Sequence, residues 1–130
     1  DVATKSREKT AMLFTAQEED AGTIRSYLEA NSIEVSSWNQ NGANWIKKWQ
    51  DTKPFVVFVD YVMAQKDGLF IVKNIHHHEP DSKIVFMHSY SGFSANELEM
   101  KALSAGAKAV IQKPITETKL RLCIERFLDK

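Results

Sequence analysis

The chain has a single cysteine, Cys123, so no internal disulfide can form, and such sparse cysteine usage fits a reducing compartment. No apolar run approaches the ~20 residues that span a bilayer, and no charged-then-apolar start resembles a secretory signal. A surplus of either charge is also missing, since 17 basic and 17 acidic residues cancel. A neutral chain is poorly suited to nucleic-acid phosphates, which draw a basic surplus or patch. Neither a Gly-x-Gly pattern nor a P-loop follows the first apolar run, where only Gly22 is near; this weakens a nucleotide-binding or enzymatic reading. Internal repeats are absent as well. These absences set the expectation of a cytoplasmic domain with no membrane or nucleic-acid contact of its own.

What remains is ordinary globular composition, 43% apolar and 26% charged over 130 residues, which suits one domain. Residues 1–10 are polar and carry no period, so they read as a tail or linker ahead of a domain over residues 11–130. The chain opens on Asp1 rather than Met, which raises the expectation of a piece from a longer protein with neighbouring domains.

Short apolar runs then alternate with helix-period segments. Strands are expected at residues 11–15, 33–38, 55–59, 84–87 and 109–111. Between them, Ala21, Ile24, Tyr27 and Leu28 recur at helical spacing; Trp45 and Trp49 mark a weak helix over residues 42–50; Leu69, Val72 and Ile75 form a third, ended by Pro80. Leu98, Ala102, Leu103 and Ala105 form a fourth, closed by Gly106. Thr116 can cap a fifth, whose apolar face is Leu120, Cys123, Ile124, Phe127 and Leu128. Five β-then-α units, with the run at residues 55–59 apolar at every position and that at 33–38 only partly alternating, predict a parallel sheet covered on both faces. Ligands of such sheets sit at the carboxyl ends of the strands. Those ends carry Thr15 to Asp20, then Asp60, then His88 and Ser89, then Lys113 and Pro114. A carboxylate can accept a phosphoryl group, and a lysine with a hydroxyl can hold the added oxygens.

Residues 54–69 place Asp60 at the end of the apolar run, Met63 and Ala64 shortly after, then Asp67-Gly68. Ala105-Gly106-Ala107 and Lys113-Pro114 come later. This pattern resembles the receiver domains of two-component response regulators and hybrid sensor histidine kinases, over residues 11–128. The resemblance implies a flavodoxin-like α/β sandwich of three layers, (βα)5, with a parallel sheet of order 2-1-3-4-5. It implies a phosphorelay role, with Asp60 as phosphoacceptor and Lys113 as phosphate contact. It implies His88 or Ser89 at the Thr/Ser switch position. A histidine kinase or phosphotransfer domain would be the partner, with output or neighbouring domains of the same chain beside it. Catalysis is expected to extend no further than self-phosphorylation of Asp60 from a phosphodonor, although a parent protein could be a hybrid kinase anchored in a membrane.

The pattern departs from the family at the site. Receivers place two acidic residues after the first strand to bind magnesium; here those positions fall on Thr15-Ala16 or Ala16-Gln17. Glu18, Glu19 and Asp20 are expected to start the first helix, where acidic side chains suit the dipole, although a shifted loop could bring one back. Magnesium binding is therefore expected to be poor, with Asp60, the Val62 carbonyl and Gln17 as its ligands. His88 could donate to a phosphate or pair with Asp60, and either behaviour would be pH-sensitive. The aromatic switch position is Val110, and the family's Met-Pro proline is Ala64. The alternative is a pseudo-receiver, acting as an interaction module without phosphorylation.

Three other features invite functional readings. His76, His77 and His78 diverge by about 100° per residue on a helix, so a helix C-terminus suits them better than a shared metal. Trp38, Trp45 and Trp49 either pack the second βα unit or form a contact patch. Leu122 and Phe127 could serve a partner surface. Cys123 looks like a small buried apolar residue.

Overall fold

A computed structural model describes residues 9–38, 44–63 and 67–128, with the backbone alone for Trp38 and Leu128. The expected tail at residues 1–8, Ala64, the expected helix start at Gly42, and the side chains of Trp38 and Leu128 lie outside the described residues. Five strands and five helices alternate: β1 (Thr10–Phe14), α1 (Glu18–Ala30), β2 (Glu34–Trp38), α2 (Trp45–Thr52), β3 (Val56–Asp60), α3 (Gly68–His78), β4 (Ile84–His88), α4 (Gly92–Ala105), β5 (Ala109–Gln112) and α5 (Glu117–Leu128). All strand pairs are parallel, in the order β2-β1-β3-β4-β5. This is the flavodoxin-like topology that the family pattern implied.

Strand alternation divides the core into two layers. Ala11, Leu13, Val56, Phe58, Val85, Met87, Ala109 and Ile111 face α1 and α5, meeting Ile24, Leu28, Leu120 and Ile124. Met12, Phe14, Val57, Val59, Ile84 and Phe86 face the other way, meeting Trp45, Trp49, Val72, Ile75, Leu98 and Ala102 on α2, α3 and α4. Every residue of β3 and β4 is buried, as strands covered on both faces require. Burying a side chain such as Leu28 or Ile75 stabilises by roughly 1.5–3 kcal/mol.

The caps follow local chemistry. Asp67 accepts the Phe70 N–H at 3.1 Å to start α3, and Thr116 accepts the Lys119 N–H at 3.2 Å to start α5. Gly106 ends α4 at φ +126°, where a Cβ would also collide with the His76 ring. Two expectations shift. The second helix begins at Trp45 and runs to Thr52, where Lys53 turns left-handed ahead of Pro54. Leu103, expected in the core, is 52% exposed, because Leu98, Ala102 and Ala105 already fill the inward face of α4.

Trp45 and Trp49 are buried, and Trp45 meets Phe14 edge-on at 5.6 Å. They pack α2 onto the sheet, so the contact-patch reading does not apply to them. The three histidines form the last turn of α3, where His78 Nδ1–H donates to the Asn74 carbonyl.

Candidate functional site

Parity along the strands decides what reaches the carboxyl edge of the sheet. Thr15 continues the series Ala11, Leu13; Asp60 continues Val56, Phe58; Lys113 continues Ala109, Ile111. All three side chains therefore emerge on the α1/α5 side, and they meet. Thr15 Oγ1–H donates to Asp60 Oδ2 at 2.9 Å, and Lys113 Nζ donates to the same oxygen at 2.6 Å. Asp60 is 1% exposed and Thr15 is 3% exposed. Asp60 Oδ1 accepts no hydrogen bond from the described residues. The two carboxylate oxygens are thus inequivalent: one is held by two donors, the other is left with its lone pairs.

The backbone around Asp60 is equally specific. Tyr61 N–H donates to the Met87 carbonyl at 2.8 Å, and Gly68 N–H donates to the Tyr61 carbonyl at 2.7 Å. Gly68 lies against the Asp60 carbonyl so closely that a Cβ would clash with it. The Asp67-Gly68 pair therefore has two jobs: the first residue caps α3, and the second lets α3 approach Asp60. The loop of Lys113 is pinned as well. Lys113 N–H donates to the His88 carbonyl at 2.7 Å, and Lys119 Nζ donates to the carbonyls of Gln112 (2.6 Å) and Pro114 (3.0 Å).

One further carboxylate enters. Asp20 Oδ2 lies 2.8 Å from Lys113 Nζ, so the ammonium bridges Asp20 and Asp60. Burial pushes the Lys113 pKa down, but its hydrogen bonds to Asp20 and Asp60, with their charges, outweigh this and raise it above the usual lysine value. Glu18, Glu19 and Asp20 do form the first turn of α1, as expected. The sequence nevertheless carried a signal for Asp20 that the dipole argument passed over. It precedes Ile24 and Leu28 at steps of four, and both of these are fully buried. Asp20 thus belongs to the inward face of α1, over the site, whereas Glu18 and Glu19 are exposed.

The other candidates land elsewhere. His88 does not pair with Asp60, and parity gives the reason: it continues the series Ile84, Phe86 on the opposite face of the sheet. There, buried to 1%, its Nδ1 accepts the Tyr90 N–H at 3.0 Å and its Nε2–H donates to Glu99 Oε2 on α4 at 2.7 Å. A ring that accepts at Nδ1 and donates at Nε2 is the neutral Nε2–H tautomer, so the expected pH-sensitive phosphate contact is replaced by a fixed strut to α4. Ser89 is the residue with Asp60 parity; it is exposed and makes no hydrogen bond among the described residues. Gln17 takes part through its backbone, its N–H donating to Thr15 Oγ1 at 3.0 Å and its carbonyl accepting the Ala21 N–H at 3.0 Å; its side chain is exposed and makes no hydrogen bond among the described residues. The Val62 carbonyl accepts no hydrogen bond among the described residues. Val110 is half-buried on the α2/α3/α4 side.

Comparison with known proteins places this geometry. The chemotaxis protein CheY of Bacillus subtilis is 27% identical over 106 residues, covering 82% of this chain and 86% of that protein. CheY of Thermotoga maritima is 29% identical over 97 residues, covering 75% and 78%. The crystal structure of a two-component response regulator from Clostridium difficile superposes with a TM-score of 0.81 at 18% identity, covering 94% of this chain and 97% of that one. The family profile of the response regulator receiver domain matches residues 17–125. With that match spanning most of the chain, and with the sheet order and strand-end carboxylate to go with it, the protein belongs to the response regulator receiver domains of two-component signalling.

Proposed function

We propose that Asp60 accepts a phosphoryl group from a phosphohistidine of a kinase or phosphotransfer domain. The observation that carries this reading is the inequivalence of its oxygens: Oδ2 is held by Thr15 and Lys113, and Oδ1 accepts from none of the described residues. In the transfer, an Oδ1 lone pair forms the new O–P bond as the P–N bond of the donor breaks. The imidazole keeps that electron pair and departs neutral, its other nitrogen already carrying a proton. Lys113 supplies positive charge to the phosphoryl oxygens, and Ser89 has the parity to donate its hydroxyl to them. Magnesium, bound at Asp60 and the Val62 carbonyl, would neutralise charge on those oxygens.

Receiver domains work with histidine kinases or phosphotransfer partners, and they are signalling modules rather than enzymes. Activity in a larger parent protein, output domains beside this one and a cytoplasmic setting complete the proposal. Among the described residues no helix is long and apolar enough to cross a membrane.

The test is phosphorylation with phosphoramidate and with a radiolabelled autophosphorylated histidine kinase. One phosphoryl group per chain, released by hydroxylamine as an acyl phosphate and absent in Asp60→Asn, is the expected result. Labelling of Asp60→Asn, or no labelling of the parent by either donor, would overturn the reading.

A further inference from the structure

The phosphoacceptor site has to balance more charge than the empty site does. Asp20 and Asp60 against Lys113 leave one net negative charge. A phosphoryl group on Asp60 brings about −1.5 to −2 in place of the carboxylate's −1, so the loaded site approaches two net negative charges. One ammonium cannot offset that, and a dication can. Family members meet this need with carboxylates placed directly after β1, positions that here hold Thr15, Ala16 and Gln17.

Asp20 fits the vacated role. Its carboxylate and that of Asp60 converge on one cation, the Lys113 ammonium, at 2.8 and 2.6 Å, so the two are already gathered around a single positive centre. It comes from the inward face of α1, in register with Ile24 and Leu28, which fix its direction by their burial. It is only 22% exposed, and apart from Lys113 it has no side-chain partner among the described residues. We infer that Asp20 is the relocated second carboxylate of this receiver, moved from the loop after β1 to the first turn of α1, and that it holds the divalent cation accompanying the phosphoryl group. The inference rests on the phosphoacceptor reading for its purpose, but its chemistry can be tested apart from phosphorylation.

The experiment titrates magnesium into isotope-labelled parent, Asp20→Asn and Asp20→Glu, following the amide signals of Asp60, Tyr61 and Lys113. The parent should saturate. Asp20→Asn should bind magnesium about tenfold or more weakly, and Asp20→Glu should recover part of the loss. A second titration with inorganic phosphate, in the absence of magnesium, separates a ligand from a merely structural residue. Removing a carboxylate that faces the anion should leave phosphate binding equal or stronger in Asp20→Asn, whereas a distorted site would lose both ligands. Equal magnesium affinity in the parent and Asp20→Asn, an unsaturable parent, or parallel loss of magnesium and phosphate binding would each overturn the inference. If Asp60 fails to label while the magnesium difference holds, the phosphoacceptor reading falls and Asp20 stands as a ligand. Labelling without a magnesium difference has the reverse meaning.

Discussion

Replacing Lys113 by Met should destabilise the fold through the charge it leaves behind. Asp60 is 1% exposed, and among the described residues its Oδ2 accepts from two donors, Thr15 and Lys113. Methionine keeps the length of the side chain and removes the ammonium. Asp60 then holds a buried negative charge with one neutral donor, beside a second carboxylate on Asp20. Removing one partner of a buried ion pair costs ~3–5 kcal/mol. Lys113 is 17% exposed, so some water replaces it, and the lower end of that range applies. For a domain of this size 1 kcal/mol moves the melting temperature by about 3 °C, which gives a fall of roughly 10 °C. Thermal unfolding followed by circular dichroism at pH 7 measures it. The double variant Lys113→Met/Asp60→Asn should regain more than half of the loss, because it also removes the stranded charge. A single variant within about 1 °C of the parent, or a double no more stable than the single, would refute the reasoning.

The remaining predictions concern neighbouring groups. The raised pKa of Lys113 means its stabilisation is fully present below the ordinary lysine value of 10.5 and is lost as pH rises through the higher folded value. The stability gap between the parent and Lys113→Met in urea melts should therefore hold from neutral pH and narrow above 10.5. Gly68→Ala forces a methyl into the Asp60 carbonyl and should cost ~1–3 kcal/mol with shifted Asp60 and Tyr61 amides. Gly22→Ala, with nothing near its Cβ, should stabilise α1 by ~0.5–1 kcal/mol in the same melts. Burial pushes the Cys123 thiol up, so iodoacetamide should label it slowly in the native protein and readily in urea. Long-range nitrogen–proton NMR should find His88 in the Nε2–H tautomer at pH 7, and a doubly protonated ring would contradict its contact with the Tyr90 amide.

The fold was legible because its signals are local and repeated. Residues 55–59 are apolar throughout, and only a strand covered on both faces suits that run in so short a segment. Asp60 stood out because it ends such a run, and Lys113 because, beside Pro114, it follows the short run at residues 109–111. Other residues were harder to place. His88 and Ser89 are adjacent, and the choice between them depends on strand parity, which a one-residue slip reverses. Asp20 sits in an acidic first turn that the helix dipole already explains, so its role shows only when its spacing to Ile24 and Leu28 is followed inward. Thr15 falls at or beside the positions where the family pattern has acidic residues; its hydroxyl becomes meaningful once the sheet brings it beside Asp60, 45 residues away.

That separation also governs when, during synthesis, the strand-end cluster can assemble. β1 emerges first yet lies between β2 and β3 in the finished sheet, so one of its two edges waits for residues 56–60. Asp60 in turn waits a further 53 residues for Lys113. A nascent or truncated chain that stops short of β5 has the Asp60 carboxylate but not the Lys113 ammonium that compensates it. The charge pair at the strand ends thus closes only after the most distant contacts have formed, so a partly folded chain carries that carboxylate uncompensated.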